Sequence, residues 1–152
     1  MTSAGRPGRP SAEGAAAGLP RRLAALVYDL MLLAGLLFVF TLAVFVLRGG
    51  RGVAPGTLWF QSSLGAVAML FFTWFWTHGG QTLGMRAWRL RVVDAAGGPL
   101  GWGKALGRFF AALLSALPAG LGFWWAAIDP DKLCWHDRLS GTKVVRTAAG
   151  AR

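Results

Sequence analysis

Asp29 is a carboxylate inside a long apolar stretch of the sequence. Residues 23–47 are predominantly apolar and include this one charged side chain. As a helix the stretch would be roughly 37 Å long, enough to cross a hydrocarbon core of about 30 Å. A carboxylate at that depth costs on the order of 2.5–3.5 kcal/mol. It is therefore expected to bind a cation, to carry a proton or to pair with a basic side chain.

Arg22 and Arg108 are the basic side chains considered as partners for Asp29. Arg22 shares a helix face with Asp29 but lies about 10 Å away along the axis, and helical side chains lean toward the N-terminus. We therefore expect Arg22 to reach the lipid headgroups instead. Arg108 is the other charge within an apolar segment. We predict that it contacts Asp29 and neutralises it inside the bilayer.

His136 and Asp137 are adjacent polar residues on a short helix predicted near the cytoplasmic surface. We expect Asp137 to accept hydrogen bonds from the loop around Gln81 and Thr82, or to pair with Arg86. If the protein handles lipid at the cytoplasmic interface, it would use the basic loop between the second and third apolar segments (residues 78–104) together with the His136–Asp137 pair.

Cys134 and His136 offer two possible metal ligands, but two ligands two residues apart fall short of a metal site. No Ser-His-Asp arrangement and no pair of acid–base carboxylates stands out in the sequence. We therefore predict that the protein is not an enzyme and holds neither a metal nor another cofactor.

The composition is typical of a membrane protein. Hydrophobic residues make up 55% of the chain and charged residues 14%, with a mean hydropathy of +0.48, whereas soluble domains average about 25% charged. The net charge of +10 is divided among the segments between apolar stretches. This division favours positive-inside topology over nucleic-acid binding. The expected partners are the lipid bilayer and either copies of the same chain or another membrane protein.

Three apolar segments define the predicted fold, an all-α membrane protein. The first two are predicted to be full transmembrane helices, whereas the third contains Pro118 and is either one kinked span or two short helices that enter and return. The segments are residues 23–47, 58–77 and 105–128. The flanking parts are a disordered tail (1–20) and a short C-terminal tail (148–152), so the membrane domain covers residues 21–147.

The basic residues bear on the path of the third segment. A returning segment would place the N-terminal tail, the loop after the second segment and the C-terminal tail on one side, with four, four and five Lys or Arg residues. Only Arg48 and Arg51 would then lie outside, which fits both termini in the cytoplasm. Trp102 and Trp124, about 33 Å apart in a continuous helix, would instead suit a full crossing.

Two short strands are predicted outside the apolar segments. Residues 89–94 (RLRVVD) alternate as a strand does, and residues 142–146 (TKVVR) form the second candidate. They could pair only on the same side of the membrane, which also favours a returning third segment. Asp129 is predicted to cap the helix before the second strand, and Gly141 to end it.

Three motifs resemble the RDD family of small bacterial membrane proteins, named for one arginine and two aspartates. RLAALVYD (22–29) resembles its opening pattern, and HDRLSGTKVV (136–145) its closing motif. The chain departs from the family at Met85, where a lysine is more common. The resemblance covers about residues 20–146 and implies a multi-pass protein of the bacterial cytoplasmic (inner) membrane. The central loop motif consists of Gly80, Gln81, Thr82 and Gly84, followed by LRVV (90–93).

Three functions are open at this point. An oligomeric transporter of a cation or small ligand would use Asp29 as its acidic site, and the resemblance implies such transport. A non-transporting scaffold or accessory protein would use an Asp29–Arg108 pair to hold its helices together. A protein that handles lipid would work at the cytoplasmic interface through His136 and Asp137.

Overall fold

The computed structural model describes residues 15–117 and 120–147. Helix α1 comprises Leu19–Leu47 and helix α2 comprises Leu58–Thr77, and both are long and apolar enough to cross a membrane. For the second predicted segment, the helix and its bounds are confirmed. The first predicted helix begins four residues earlier than expected, because Pro20 lies in the first turn of α1. An N–H in that turn has no acceptor within the helix, so the N–H that proline lacks costs no hydrogen bond there.

The third apolar segment consists of two helices in the part of the chain described. Helix α4 comprises Trp102–Ala116 and helix α5 comprises Leu121–Ile128. Gly120 precedes α5 with φ of +75°, a backbone conformation that glycine adopts readily. The two helices approach closely, since a Cβ at Gly122 would lie 2.6 Å from the Ser115 Cβ. The predicted kink at Pro118 lies outside the described residues.

The two predicted strands are confirmed. Strand β1 (Leu90–Asp94) and strand β2 (Thr142–Arg146) pair antiparallel, with Asp94 opposite Thr142. Short helix α3 (Leu83–Ala87) precedes β1.

The N-terminal segment joins this sheet. Ala16 bridges to Val145, and the Ala17 N–H donates to the Val144 carbonyl at 3.0 Å. The predicted disordered tail is therefore wrong for residues 15–20, where backbone pairing and burial hold the chain in place. Its remainder lies outside the described residues.

Helix α6 (Trp135–Ser140) carries Asp137, the aspartate of the closing motif. Gly141 ends this helix in the left-handed conformation, as predicted, with φ of +61°. Asp129 does not cap it, because Cys134 is the N-cap residue and the Asp137 carboxylate accepts from its N–H. Asp129 instead follows α5 and pairs with Arg138 at 2.5 Å.

One stripe of α1 faces the rest of the domain, and the other faces are largely exposed. The buried residues of the stripe recur every three or four positions, the period of one helix face. They are Leu19, Arg22, Ala25, Asp29 and Leu33. The exposed faces carry large apolar side chains such as Met31 and Phe38, which fits a helix surrounded by lipid.

Candidate functional site

Asp137 joins two arginines from different helices. Its Oδ2 accepts from Arg22 Nη1 on α1, and its Oδ1 accepts from Arg108 Nη1 on α4 at 2.6 Å. The Asp137 side chain is fully buried, and those of Arg22 and Arg108 are 7% and 3% exposed. Three segments far apart in sequence therefore meet at one carboxylate.

Arg22 binds the polypeptide at several further points. Its Nε donates to the Ala17 carbonyl at 2.9 Å, and its Nη2 donates to the Val144 carbonyl at 3.4 Å. Arg22 was predicted to reach the lipid headgroups instead of a protein partner, and that is wrong, because its side chain is buried and its donors bind Ala17, Val144 and Asp137. The side chain does lean toward the N-terminus, but there it meets Asp137 and β2. The sequence did not reveal this site because two of the four acceptors are backbone carbonyls and the other two, Cys134 Sγ and the Asp137 carboxylate, lie 112 and 115 residues away.

Arg108 is held by groups that the sequence analysis did not single out. Its Nη1 donates to Thr142 Oγ1 at 2.5 Å, and its guanidinium carbon lies 5.2 Å from the centre of a Trp76 ring. Such a position over an aromatic face stabilises a cation.

Asp137 was expected to bind the loop around Gln81 and Thr82 or to pair with Arg86. That prediction is wrong, because Arg22 and Arg108 occupy both oxygens of the Asp137 carboxylate.

Asp29 binds the loop after α2. Its Oδ2 accepts from Thr82 Oγ1 at 2.5 Å and its Oδ1 accepts from the Gly84 N–H at 2.8 Å. The predicted Asp29–Arg108 contact is therefore wrong, because each side chain has different partners. Thr82 is the N-cap residue of α3, and its Oγ1 also accepts from the Met85 N–H. Asp29 thus fixes the start of α3 against α1.

The loop motif is structural at each predicted position. Gly80 has φ of +71°, and a Cβ there would lie 2.5 Å from the Val92 carbonyl oxygen. Gln81 Nε2 donates to the Leu90 carbonyl at 2.7 Å. Gly84 packs so closely on α1 that a Cβ would lie 2.3 Å from the Ala25 carbonyl oxygen. Close backbone approach to β1 and to α1 therefore requires the two glycines, and Gln81 holds the loop to β1 through its hydrogen bond.

Protonation in the cluster is set by burial and by the arginines. Burial opposes ionisation of Asp137, but the charges of Arg108 and Arg22 outweigh it and hold the pKa of that carboxyl well below its usual range. Burial, followed by the charge of Arg108, lowers the pKa of His136 to about 3. Near neutral pH the cluster therefore consists of two cations, one carboxylate and a neutral histidine.

The same surroundings disfavour a metal ion. Ligand atoms of Cys134, His136 and Asp137 lie within 4.8 Å of one another. However, burial and the nearby Asp137 raise the pKa of the Cys134 thiol to about 11, and metals bind the thiolate. Both Asp137 oxygens also face guanidinium groups. A divalent cation would therefore enter a site that already holds two positive charges.

Neutral, buried His136 predicts a pH dependence of stability. Its pKa is about 3 in the folded protein and about 6.5 when unfolded, so between these values the unfolded chain binds a proton that the folded chain does not. Stability should fall as the pH is lowered through this window, by up to about 1.4 kcal/mol per pH unit. Thermal unfolding in detergent between about pH 6.5 and 4.5 would measure this slope.

Two variants assign the slope to its source. His136→Asn should flatten it, whereas His78→Asn, at an exposed histidine, should leave it as in the wild type. Asp137 does not contribute in this window, because the stability from its lowered pKa is lost only below the ordinary carboxyl value of about 3.9. An unchanged slope in His136→Asn would contradict the assignment.

A cavity of about 270 Å³ lies beside the charged residues. Asp29 and Arg108 both line it, as do Arg22, Trp76 and His136. The remaining lining is mainly apolar and comes largely from α1 and α4. The residues predicted to act together therefore surround one space, although Asp29 and Arg108 do not touch.

Comparison with known proteins agrees with the motifs. The model of the RDD family matches residues 16–141, most of the 152-residue chain. No curated protein and no solved structure matches the chain. Together with the two helices long and apolar enough to span a bilayer, the family match indicates a membrane protein.

Proposed function

This chain belongs to the RDD family, and from that premise we propose that it is a multi-pass protein of the bacterial inner membrane with both termini in the cytoplasm. The third apolar segment enters the membrane and returns. The pairing of β1 with β2 supports this path, because it joins residues that precede α4 to residues that follow α6. The concentration of Lys and Arg in the same parts of the chain supports the cytoplasmic side.

Within this topology the protein acts as a non-transporting scaffold or accessory protein. The observation that carries the proposal is that both oxygens of Asp29 and both oxygens of Asp137 accept hydrogen bonds from the protein itself. A transported cation would have to displace these donors. The exposed apolar faces of α1 and α2 would contact lipid and another membrane protein or a second copy.

Transport of a cation or small ligand is the second candidate. It is favoured by one observation, that Asp29 and two arginines line a common cavity. In this alternative Asp29 would release Thr82 and Gly84 in order to bind the transported species, and copies of the chain would together form the path.

The Asp29→Asn variant distinguishes the two functions. Asparagine removes the charge that strengthens the bonds from Thr82 and Gly84, so the scaffold reading predicts a loss of about 1.5–3 kcal/mol in the free energy of unfolding. It also predicts no cation-dependent collapse of a pH gradient by wild-type protein in sealed vesicles. Both quantities can be measured on one purified preparation.

Asp131→Asn is the matched control, because the Asp131 side chain is 72% exposed. It should unfold at the wild-type temperature. A cation-dependent flux that disappears in Asp29→Asn, with stability unchanged, would overturn the scaffold proposal and establish transport.

A further inference from the structure

The cavity has a charged end at Arg22 and Arg108 and a largely apolar end, where the Asp29 carboxylate is engaged by Thr82 and Gly84. On α1 it is lined from Arg22 to Leu30, and on α4 from Arg108 to Ala116. Eight residues of helix rise about 12 Å. The guanidinium groups of Arg22 and Arg108 lie at the same level because both bind Asp137. The two helices therefore form walls that begin together at the charged cluster and continue for about two turns beyond it.

The apolar end is open toward the surroundings of the helices. Leu30 and Leu113, which line it from the two walls, are 48% and 51% exposed. In the proposed topology this edge faces the hydrocarbon of the cytoplasmic leaflet, and the charged cluster lies at the headgroup level. The charged end of the cavity would thus lie beside the headgroup of a lipid in that leaflet, and the apolar end would lie beside its acyl chains.

The charged end has donors without acceptors. Arg108 Nε and Trp76 Nε1 are buried and have no hydrogen-bond partner among the described residues. Buried N–H groups are nearly always paired, so such groups call for an acceptor. The cluster also holds two guanidinium groups against the single carboxylate of Asp137, while the carboxylate of Asp29 is engaged by Thr82 and Gly84. An anionic acceptor would complete this end.

We propose that the cavity between α1 and α4 binds one anionic lipid, with its acyl chain between Leu30 and Leu113 and its phosphate or carboxylate head toward Arg108 and Trp76. The volume of about 270 Å³ is close to the lower limit of about 300 Å³ for ligand sites. The cavity therefore takes part of one chain rather than a whole phospholipid. This inference rests on the proposed topology.

Photo-cross-linking tests the proposal on the full-length chain in phosphatidylcholine vesicles. The probes carry a diazirine in the acyl chain and are phosphatidylglycerol, phosphatidylcholine or a free fatty acid. Cross-links should map to α1 and α4 around Leu26 and Leu113, with about tenfold more labelling by an anionic probe than by phosphatidylcholine. Comparing the two anionic probes identifies a phosphate or a carboxylate as the preferred head.

A cavity-filling variant and a matched control complete the design. Ala112→Phe places a ring in the cavity and should lower labelling about tenfold. Ala127→Phe, at an exposed position of α5 that does not line the cavity, should label as the wild type does. Unfolding temperatures confirm that both variants are folded. If Ala112→Phe is unfolded, Ala116→Phe replaces it.

Two outcomes would overturn the proposal. Labelling that is equal for all probes and unaffected by filling would mean general lipid contact only. Lipid adducts on the exposed faces of α1 without any at Leu26 or Leu113 would mean that lipid does not enter the cavity. Ion flux measured in the same vesicles tests the proposed scaffold function separately, because flux with intact lipid labelling would overturn that function alone.

Discussion

Replacement of Asp137 by alanine is expected to lower the free energy of unfolding by about 3–5 kcal/mol, the largest effect of any single charge removal in this protein. The variant leaves Arg22 and Arg108 buried without the carboxylate that both contact. It also removes the acceptor for the Cys134 N–H at the start of α6. The loss combines two uncompensated charges with a lost helix cap.

Thermal or denaturant unfolding of purified protein in detergent measures this loss. Asp131→Ala is the control, since it removes an exposed aspartate six residues away and should change stability by less than about 0.5 kcal/mol. The double variant Asp137→Ala with Arg108→Met should recover part of the loss, because one unpaired charge is then removed. Equal stability of Asp137→Ala and the wild type would refute the structural role of the cluster.

Much of the fold follows from local patterns in the sequence. The apolar run at residues 58–77 predicts the bounds of α2, because length and hydrophobicity suffice to specify a membrane-capable helix. The alternation in residues 89–94 predicts β1, and Gly141 ends α6 because a left-handed residue is needed there. In each case the determining interaction lies within a few residues of the signal.

The charge partners could not be predicted in the same way. Arg22 and Asp137 are 115 residues apart, and helix direction and spacing fix only the face of α1 on which Arg22 lies, not its partner on α6. Charge neutralisation inside the bilayer predicts Arg108 as the partner of Asp29. The structure instead satisfies Asp29 with a hydroxyl and a backbone N–H from the α3 loop. Neutral donors of this kind leave no charge pattern in a sequence.

Two residues of the α1 stripe, Arg22 and Asp29, attach this helix to different elements. Arg22 joins α1 to α6 and β2, whereas Asp29 joins it to α3. Because β1 and β2 pair with each other, the two attachments close a ring of contacts around the base of α1. Breaking either one should loosen the same small domain, which is why the scaffold reading predicts correlated losses at positions far apart in sequence.

Gly84→Ala is expected to have the second largest effect, a loss of about 3–5 kcal/mol in the free energy of unfolding. A Cβ at this position would lie 2.3 Å from the Ala25 carbonyl oxygen and 2.9 Å from Asp29 Cγ. The first of these atoms is helix backbone and cannot rotate away. Helix α3 must therefore move off α1, and the hydrogen bonds from Thr82 and Gly84 to Asp29 are lost with the movement.

Gly107→Ala provides a control in which the sign of the effect reverses. Gly107 lies within α4, is exposed and has nothing within 4 Å of an added Cβ. Alanine there should stabilise the protein by about 0.5–1 kcal/mol, because it restricts the unfolded chain more than glycine does.

Hydrogen exchange distinguishes local displacement of α3 from general destabilisation. In Gly84→Ala the Met85 and Arg86 amides should lose protection before the amides of α2 do. Retained protection at Met85 together with wild-type stability would show that α3 does not need this contact with α1.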